Sequence, residues 1–207
     1  MNTSANTLQL ILVRHAEADG ASGRCIGHTD LPLSEAGRAS LEMLCSSKGE
    51  FAQALAARVQ DTVLLSSDLI RARETAARIG TTFNIPVSRD ARLREMSFGA
   101  WDGATWQHLE ATDGERLGAW MEQWQTAAPP EGESVADVLQ RVDAVLAELR
   151  RLPQGLVIVV AHAGWIRLAL CRMRDISSDR MFDLEVPYAA PIVCRVDRET
   201  GRSVLVQ

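Results

Sequence analysis

Lysine is almost missing from this chain: of 22 basic residues only Lys48 is not an arginine. The basic residues are also outnumbered by 27 acidic ones, for a net charge of −5. That balance lacks the basic footprint that general nucleic-acid binding needs, so no nucleic-acid partner is expected. Four cysteines, Cys25, Cys45, Cys171 and Cys194, are widely spaced and make no C-x-x-C pair. This excludes the usual zinc spacings and a small disulfide framework, and leaves free buried thiols in a reducing compartment as the expectation. No apolar run approaches membrane length, and no basic region leads into a long apolar stretch near the N-terminus. A cytoplasmic protein with no membrane partner is expected. Histidine is scarce too, with only four residues.

Two of those four histidines end the two most strand-like segments. Arg14-His15 follows the run Leu8 to Val13, and His162 follows Val157 to Ala161. In an open α/β sheet, ligands bind beyond the carboxyl ends of the strands, so the two imidazoles are placed to converge there. Arginine is the better bidentate clamp for phosphate. Base composition accounts for most of the arginines, so only those at strand ends carry weight.

At 207 residues, 46% of them hydrophobic, the chain reads as one globular domain over 1–207. Strands are predicted at Leu8–Val13, Thr62–Leu65, Ile85–Val87 and 156–161. Ser34 reads as the N-cap of a helix to Leu44, broken at Ser46-Ser47-Lys48-Gly49 and resuming over Phe51–Val59. Ser66-Ser67-Asp68 caps a helix over Leu69–Ile79 that should close at Gly80. Residues 92–104 are irregular, and one or two helices fill 105–126. Ser134 to Asp137 forms a capping box ahead of the clearest amphipathic helix, with Val135, Val138, Leu139, Val142, Val145, Leu146 and Leu149 on one face. A helix runs from Ala163 to about Arg172, and Ile192–Cys194 with Val204–Val206 suggest a C-terminal hairpin. The expected fold is a three-layer α/β/α sandwich with a mainly parallel sheet and an antiparallel edge. Residues 176–191 carry no readable functional signal.

The strand ends collect a phosphate-binding set. They present Arg14 and His15, then Arg71 in the first turn of the helix after the second strand. His162 comes last, with Ala163 and Gly164 at a helix N-terminus that favours an anion. Glu95, in the irregular segment, supplies a proton donor, with Glu110 as a rival. Two histidines without a third ligand at suitable spacing do not make a metal site, and neither metal nor cofactor is expected. Arg24 and His28 either contact substrate or are solvated loop charge. His108 reads as a helix-surface residue. Trp101, Trp106, Trp120 and Trp124 either wall the pocket or pack two short helices, the commoner use. Cys25 falls beside the pocket.

These residues stand in motifs that resemble the histidine phosphatase superfamily, also called phosphoglycerate-mutase-like. The matching stretches are Leu12-Val13-Arg14-His15-Ala16-Glu17, the loop Gly27 to Gly37, Ser66 to Ala76, Leu93-Arg94-Glu95, Gly99 to Gly103, Glu131 to Ser134 and Val160 to Gly164. The resemblance implies that His15 is the nucleophile and forms a phosphohistidine. It implies that Arg14, Arg71 and His162 neutralise the phosphoryl oxygens, aided by backbone N–H groups at Ala163. Glu95 would protonate the leaving alcohol and then activate water. Substrate contacts are expected from Arg14, Arg71, His162, Ala163, Arg24, Ser22, Gly27 and His28.

The chain departs from the family at Ala16, usually Gly, at Ala18, usually Thr, and near Ala21, where many members carry Asn and Ser22 stands here. The Arg-His-Ala-Glu-Ala opening is similar to protein-phosphohistidine phosphatases, which usually lack the Gly27–Leu33 loop and the Glu95 segment. Phosphoglycerate mutases usually have more chain between the acid and the second histidine, so hydrolysis is favoured over mutase transfer. The stretch Ser22 to Leu33 resembles α-ribazole phosphatases and broad-specificity members. A phosphomonoester hydrolase acting on a small phosphorylated substrate is therefore expected, α-ribazole 5′-phosphate foremost. A homodimer is left open.

Overall fold

A computed structural model describes residues 6–46, 50–56 and 58–206. Six strands form one sheet: β1 (Thr7–Arg14), β2 (Thr62–Ser66), β3 (Val87–Arg89), β4 (Leu156–Ala161), β5 (Pro191–Asp197) and β6 (Ser203–Leu205). Their spatial order is β3-β2-β4-β1-β5-β6. The first four are parallel, and β5 and β6 add an antiparallel edge. Alternation along β1 divides its side chains between two cores. Leu8, Leu10 and Leu12 pack with α5 (Val135–Leu149) and α6 (Ala163–Arg174). Ile11 and Val13 pack with α1 (Glu35–Leu44), α2 (Glu50–Ala56) and α3 (Ile70–Phe83). Helices thus cover both faces, and the fold is the expected three-layer α/β/α sandwich.

Several element ends follow local chemistry. The Ser34 side chain accepts from the Gly37 N–H to start α1. Ser134 and Asp137 complete a reciprocal capping box at α5. The expected break at Ser46 to Gly49 falls, from Ser47 onward, outside the described residues.

The ends of α3 differ from expectation. Its cap residue, Leu69, has no side-chain cap bond, and the Ile70 N–H is taken by Asp30 from the loop after β1. Asp68 instead pairs with Arg94. The helix also runs through Gly80 to Phe83 and ends at Asn84 in the left-handed region. Gly80 has a different use: a Cβ there would lie 2.7 Å from the Ile85 carbonyl oxygen, so glycine lets the returning chain pass close to the helix. The third strand begins at Val87 rather than Ile85. Residues 105–126 hold one helix, α4 (Trp106–Gln123), interrupted by non-helical backbone at Asp113.

Candidate active site

Strand register brings several of the expected site residues together. Arg14 pairs with Ala161, and Ser66 with Val160, so β1, β2 and β4 end side by side. The next residues, His15, Ser67 and His162, therefore emerge at one sheet edge. The rings of His15 and His162 lie 5.0 Å apart.

His15 is buried, and its Nδ1 lies 2.7 Å from the Ala16 carbonyl oxygen. A carbonyl only accepts, so Nδ1 carries the proton and Nε2 keeps its lone pair. Arg71 Nε, 3.3 Å from that Nε2, can only donate to it, which demands the same tautomer. Burial, the Arg71 charge and the Arg14 charge together bring the His15 pKa down to about 3, against a weaker upward pull from Ala16. The imidazole is neutral at physiological pH. His162 is fully buried and is also held well below 6.5, by burial and then by His15 and Arg71. Its Nε2 lies 2.9 Å from Ser67 Oγ, while its Nδ1 is buried without a partner among the described residues.

Arg71 is only 1% exposed, yet it forms no ion pair among the described residues. Its terminal nitrogens donate to the Thr29 and Gly27 carbonyls at 2.8 and 2.6 Å. Arg14 donates to the Val186 carbonyl and lies 3.5 Å from the centre of the Tyr188 ring. Burial lowers the pKa of both guanidiniums, which nonetheless stay charged. One buried and one half-buried guanidinium, neither in an ion pair with a carboxylate among the described residues, make a strong site for a small anion.

Glu95 stands at the start of α6. Its carboxylate accepts from the Gly164, Trp165 and Met96 N–H groups at 3.0, 3.3 and 3.1 Å. Two amides of the helix N-terminus expected to face phosphate are therefore held by Glu95. A brace lies behind it. Arg141 donates to the Arg92, Arg94 and Glu95 carbonyls and pairs with Glu133, which also accepts from the Ser97 N–H.

These groups open on a cleft of about 380 Å³. Arg14, His15, Arg71, Glu95, Ala163 and Arg24 line it, whereas His162, fully buried behind His15, and Ser22, Gly27 and His28 do not. Ser22 is exposed on the loop surface. Gly27 and His28 are tied into the scaffold. The Gly27 carbonyl holds Arg71, and His28 Nε2 donates to the Glu95 carbonyl at 3.0 Å. Both backbone N–H groups donate to Asp102. Glu110 and His108 are exposed on α4, away from the cleft. Cys25 is buried beneath the loop, and burial followed by the Asp102 charge raises its thiol to about 12, so it is unreactive.

Three of the four clustered tryptophans, Trp106, Trp120 and Trp124, face the cleft, while Trp101 is buried beside it. The sequence reading missed Tyr188, Phe182 and Arg167, which also line it. Tyr188 and Phe182 come from the stretch without readable periodicity, and their being so rare in the chain was the one available signal.

The sequence pattern of the histidine phosphatase superfamily (branch 1) matches residues 10–207. An adenosylcobalamin/α-ribazole phosphatase of Escherichia coli K12 is 29% identical over 86% of this chain and 85% of its own. A glucosyl-3-phosphoglycerate phosphatase of Mycobacterium tuberculosis is 35% identical over 76% of this chain and 71% of its own. The crystal structure of the α-ribazole phosphatase from Shigella flexneri superposes with a TM-score of 0.83, at 27% identity, over 96% of this chain and 95% of that one. Family match, fold and phosphate-suited strand ends agree: this chain belongs to the histidine phosphatase superfamily and is a phosphatase of it.

Proposed function

We propose that the protein hydrolyses a small phosphomonoester through a phosphohistidine at His15, with no metal ion taking part. One observation carries this reading. A neutral imidazole with its Nε2 lone pair free of a proton sits beside the buried Arg71 and the half-buried Arg14, neither of which has a carboxylate ion-pair partner among the described residues.

The substrate's phosphoryl group takes over the Arg71 N–H that His15 Nε2 receives in the free protein. Arg14 and Arg71 neutralise its oxygens; the Ser67 hydroxyl donates to Nε2 of the neutral His162, leaving a proton on the unpartnered Nδ1 to donate as a hydrogen bond. His15 Nε2 attacks phosphorus, the bond to the ester oxygen breaks, and that oxygen takes a proton that the Glu95 carboxylate has first bound from water. Water then attacks the phosphohistidine, Glu95 takes its proton, and the N–P bond breaks to release inorganic phosphate. The guanidiniums carry the charge that a metal would otherwise balance.

Hydrolysis of p-nitrophenyl phosphate in EDTA, wild type against His15→Ala, tests the reading. Wild type should turn over and the variant should lose on the order of 10³ in kcat. Turnover surviving in His15→Ala would remove the nucleophile. An inactive wild type would turn attention to phosphoglycerate isomerisation. Likeness to α-ribazole phosphatases makes α-ribazole 5′-phosphate the first metabolite to assay.

A further inference from the structure

The half of the cleft away from the phosphate end has a composition of its own. The chain has four Phe, five Trp and one Tyr. Tyr188 packs on Arg14 and His15 at the phosphate end, but five others, Phe98, Trp106, Trp120, Trp124 and Phe182, line the rest of the cleft. They form two groups. Phe98 packs edge-on against Trp106 and Trp120, with ring centres 6.3 and 6.0 Å away. Trp124 packs against Phe182 with centres 5.0 Å apart.

Neither group is closed over by the protein. Phe182 is 63% exposed and Trp106 is 37% exposed. Contiguous open rings at the mouth of a polar site mark a binding surface rather than a stray apolar residue. The charged side chains of this half are Arg24 at the rim and Arg167, whose guanidinium lies 5.5 Å from the Phe182 ring centre. Neither forms an ion pair among the described residues.

We propose that this wall selects a phosphomonoester whose leaving alcohol carries a flat aromatic ring, seated between the Phe98–Trp106–Trp120 and Trp124–Phe182 groups. The inference rests on the phosphatase reading and adds a substrate class to it. A leaving group as small and polar as that of a phosphorylated hydroxy acid covers little of this surface. An aromatic ring covers it and gains offset or edge-on contacts. Two arginines without carboxylates also disfavour alcohols bearing a cationic amine.

Alkylphosphonates isolate this preference, because they share the phosphate-end charge and are not hydrolysed. Dissociation constants of 2-phenylethyl-, 2-cyclohexylethyl- and propylphosphonate are measured calorimetrically on wild type, Trp106→Ala and Phe182→Ala. The expected result is phenylethyl binding at least about tenfold tighter than propyl and clearly tighter than cyclohexylethyl, a preference worth about 1.4 kcal/mol. That ratio should collapse towards unity in both variants, whose exposed positions spare the fold. Phenylethyl and propyl binding within about twofold would overturn the proposal, as would equal phenylethyl and cyclohexylethyl binding. A ratio unchanged by either substitution would overturn it too. Failure of the phosphohistidine reading shows separately, as activity retained by His15→Ala, and leaves these ratios untouched. Absence of binding by all three phosphonates would overturn the phosphate end and this proposal together.

Discussion

Gly164 illustrates how a single atom's absence sets the chemistry. A Cβ at this position would collide with Glu95 Oε1, the mobile end of a side chain rather than backbone. Gly164→Ala should therefore displace the carboxylate and leave the fold intact. The expected outcome is a fall in kcat of roughly 10²-fold, the usual scale for a mispositioned proton donor, at an unchanged melting temperature. Steady-state kinetics and a thermal melt on the same preparation check it. His15 and His162 make a second prediction at this scale. Both are held neutral below the usual 6.5, His15 down to about 3. As pH falls below 6.5 the unfolded chain binds protons at these positions and the folded chain does not, so stability must drop. The stability their neutral forms contribute is present above pH 6.5 and is lost progressively towards pH 3. Melting temperature should be level above about pH 7 and decline below it, and His15→Gln should flatten the decline between about pH 6.5 and 4.5. A wild-type melting temperature independent of pH through that window would count against the burial of both rings.

The loop after β1 works as an element through Asp102. Its carboxylate accepts from the N–H groups of Gly27, His28, Thr29 and Phe98 and from the Thr29 hydroxyl. Burial opposes the charged form, but the His28 and Thr29 bonds outweigh it and hold the carboxyl below its usual range. Gly27 and Thr29 in turn hold Arg71 by their carbonyls. Asp102→Ala should cost about 2–3 kcal/mol, which for a chain of this size lowers the melting temperature by roughly 5–10 °C. Because Arg71 loses its footing, KM should rise as well. A variant with lowered stability but wild-type KM would separate the loop from the site. Element by element, the sequence was most legible where local chemistry decides. Ser34, the Ser134–Asp137 box and the apolar runs ending at His15 and His162 all marked their elements. Gly80 misled because its reason is a close pass of Ile85 rather than a helix end. The α3 start was illegible because its cap, Asp30, is 40 residues away in sequence.

Over the whole molecule, the net charge of −5 and the cleft are of opposite sign. Arg14, Arg24, Arg71 and Arg167 line the cleft, with Glu95 as its one carboxylate among the described residues. The local field draws in a phosphate dianion that the overall charge repels, and salt screens the nearer, stronger attraction. Thus kcat/KM should fall several-fold between about 0.02 and 0.5 M ionic strength, while kcat changes little. A rise with salt would show that the overall charge governs encounter.

The sequence alone determined the alternation of strands and helices, since hydrophobic periodicity and caps are local properties. It also singled out Arg14, His15, Arg71, Glu95 and His162 as the expected site, since those residues stand at or beside strand ends or in family motifs. Only the tertiary structure decided the rest. It decided that Gly164 and Trp165 amides serve Glu95, that Gly27 and His28 brace the site, and that Tyr188, Arg167 and Phe182 join the cleft. Each of these depends on chain segments far apart in sequence meeting at one sheet edge, and no local pattern encodes such a meeting.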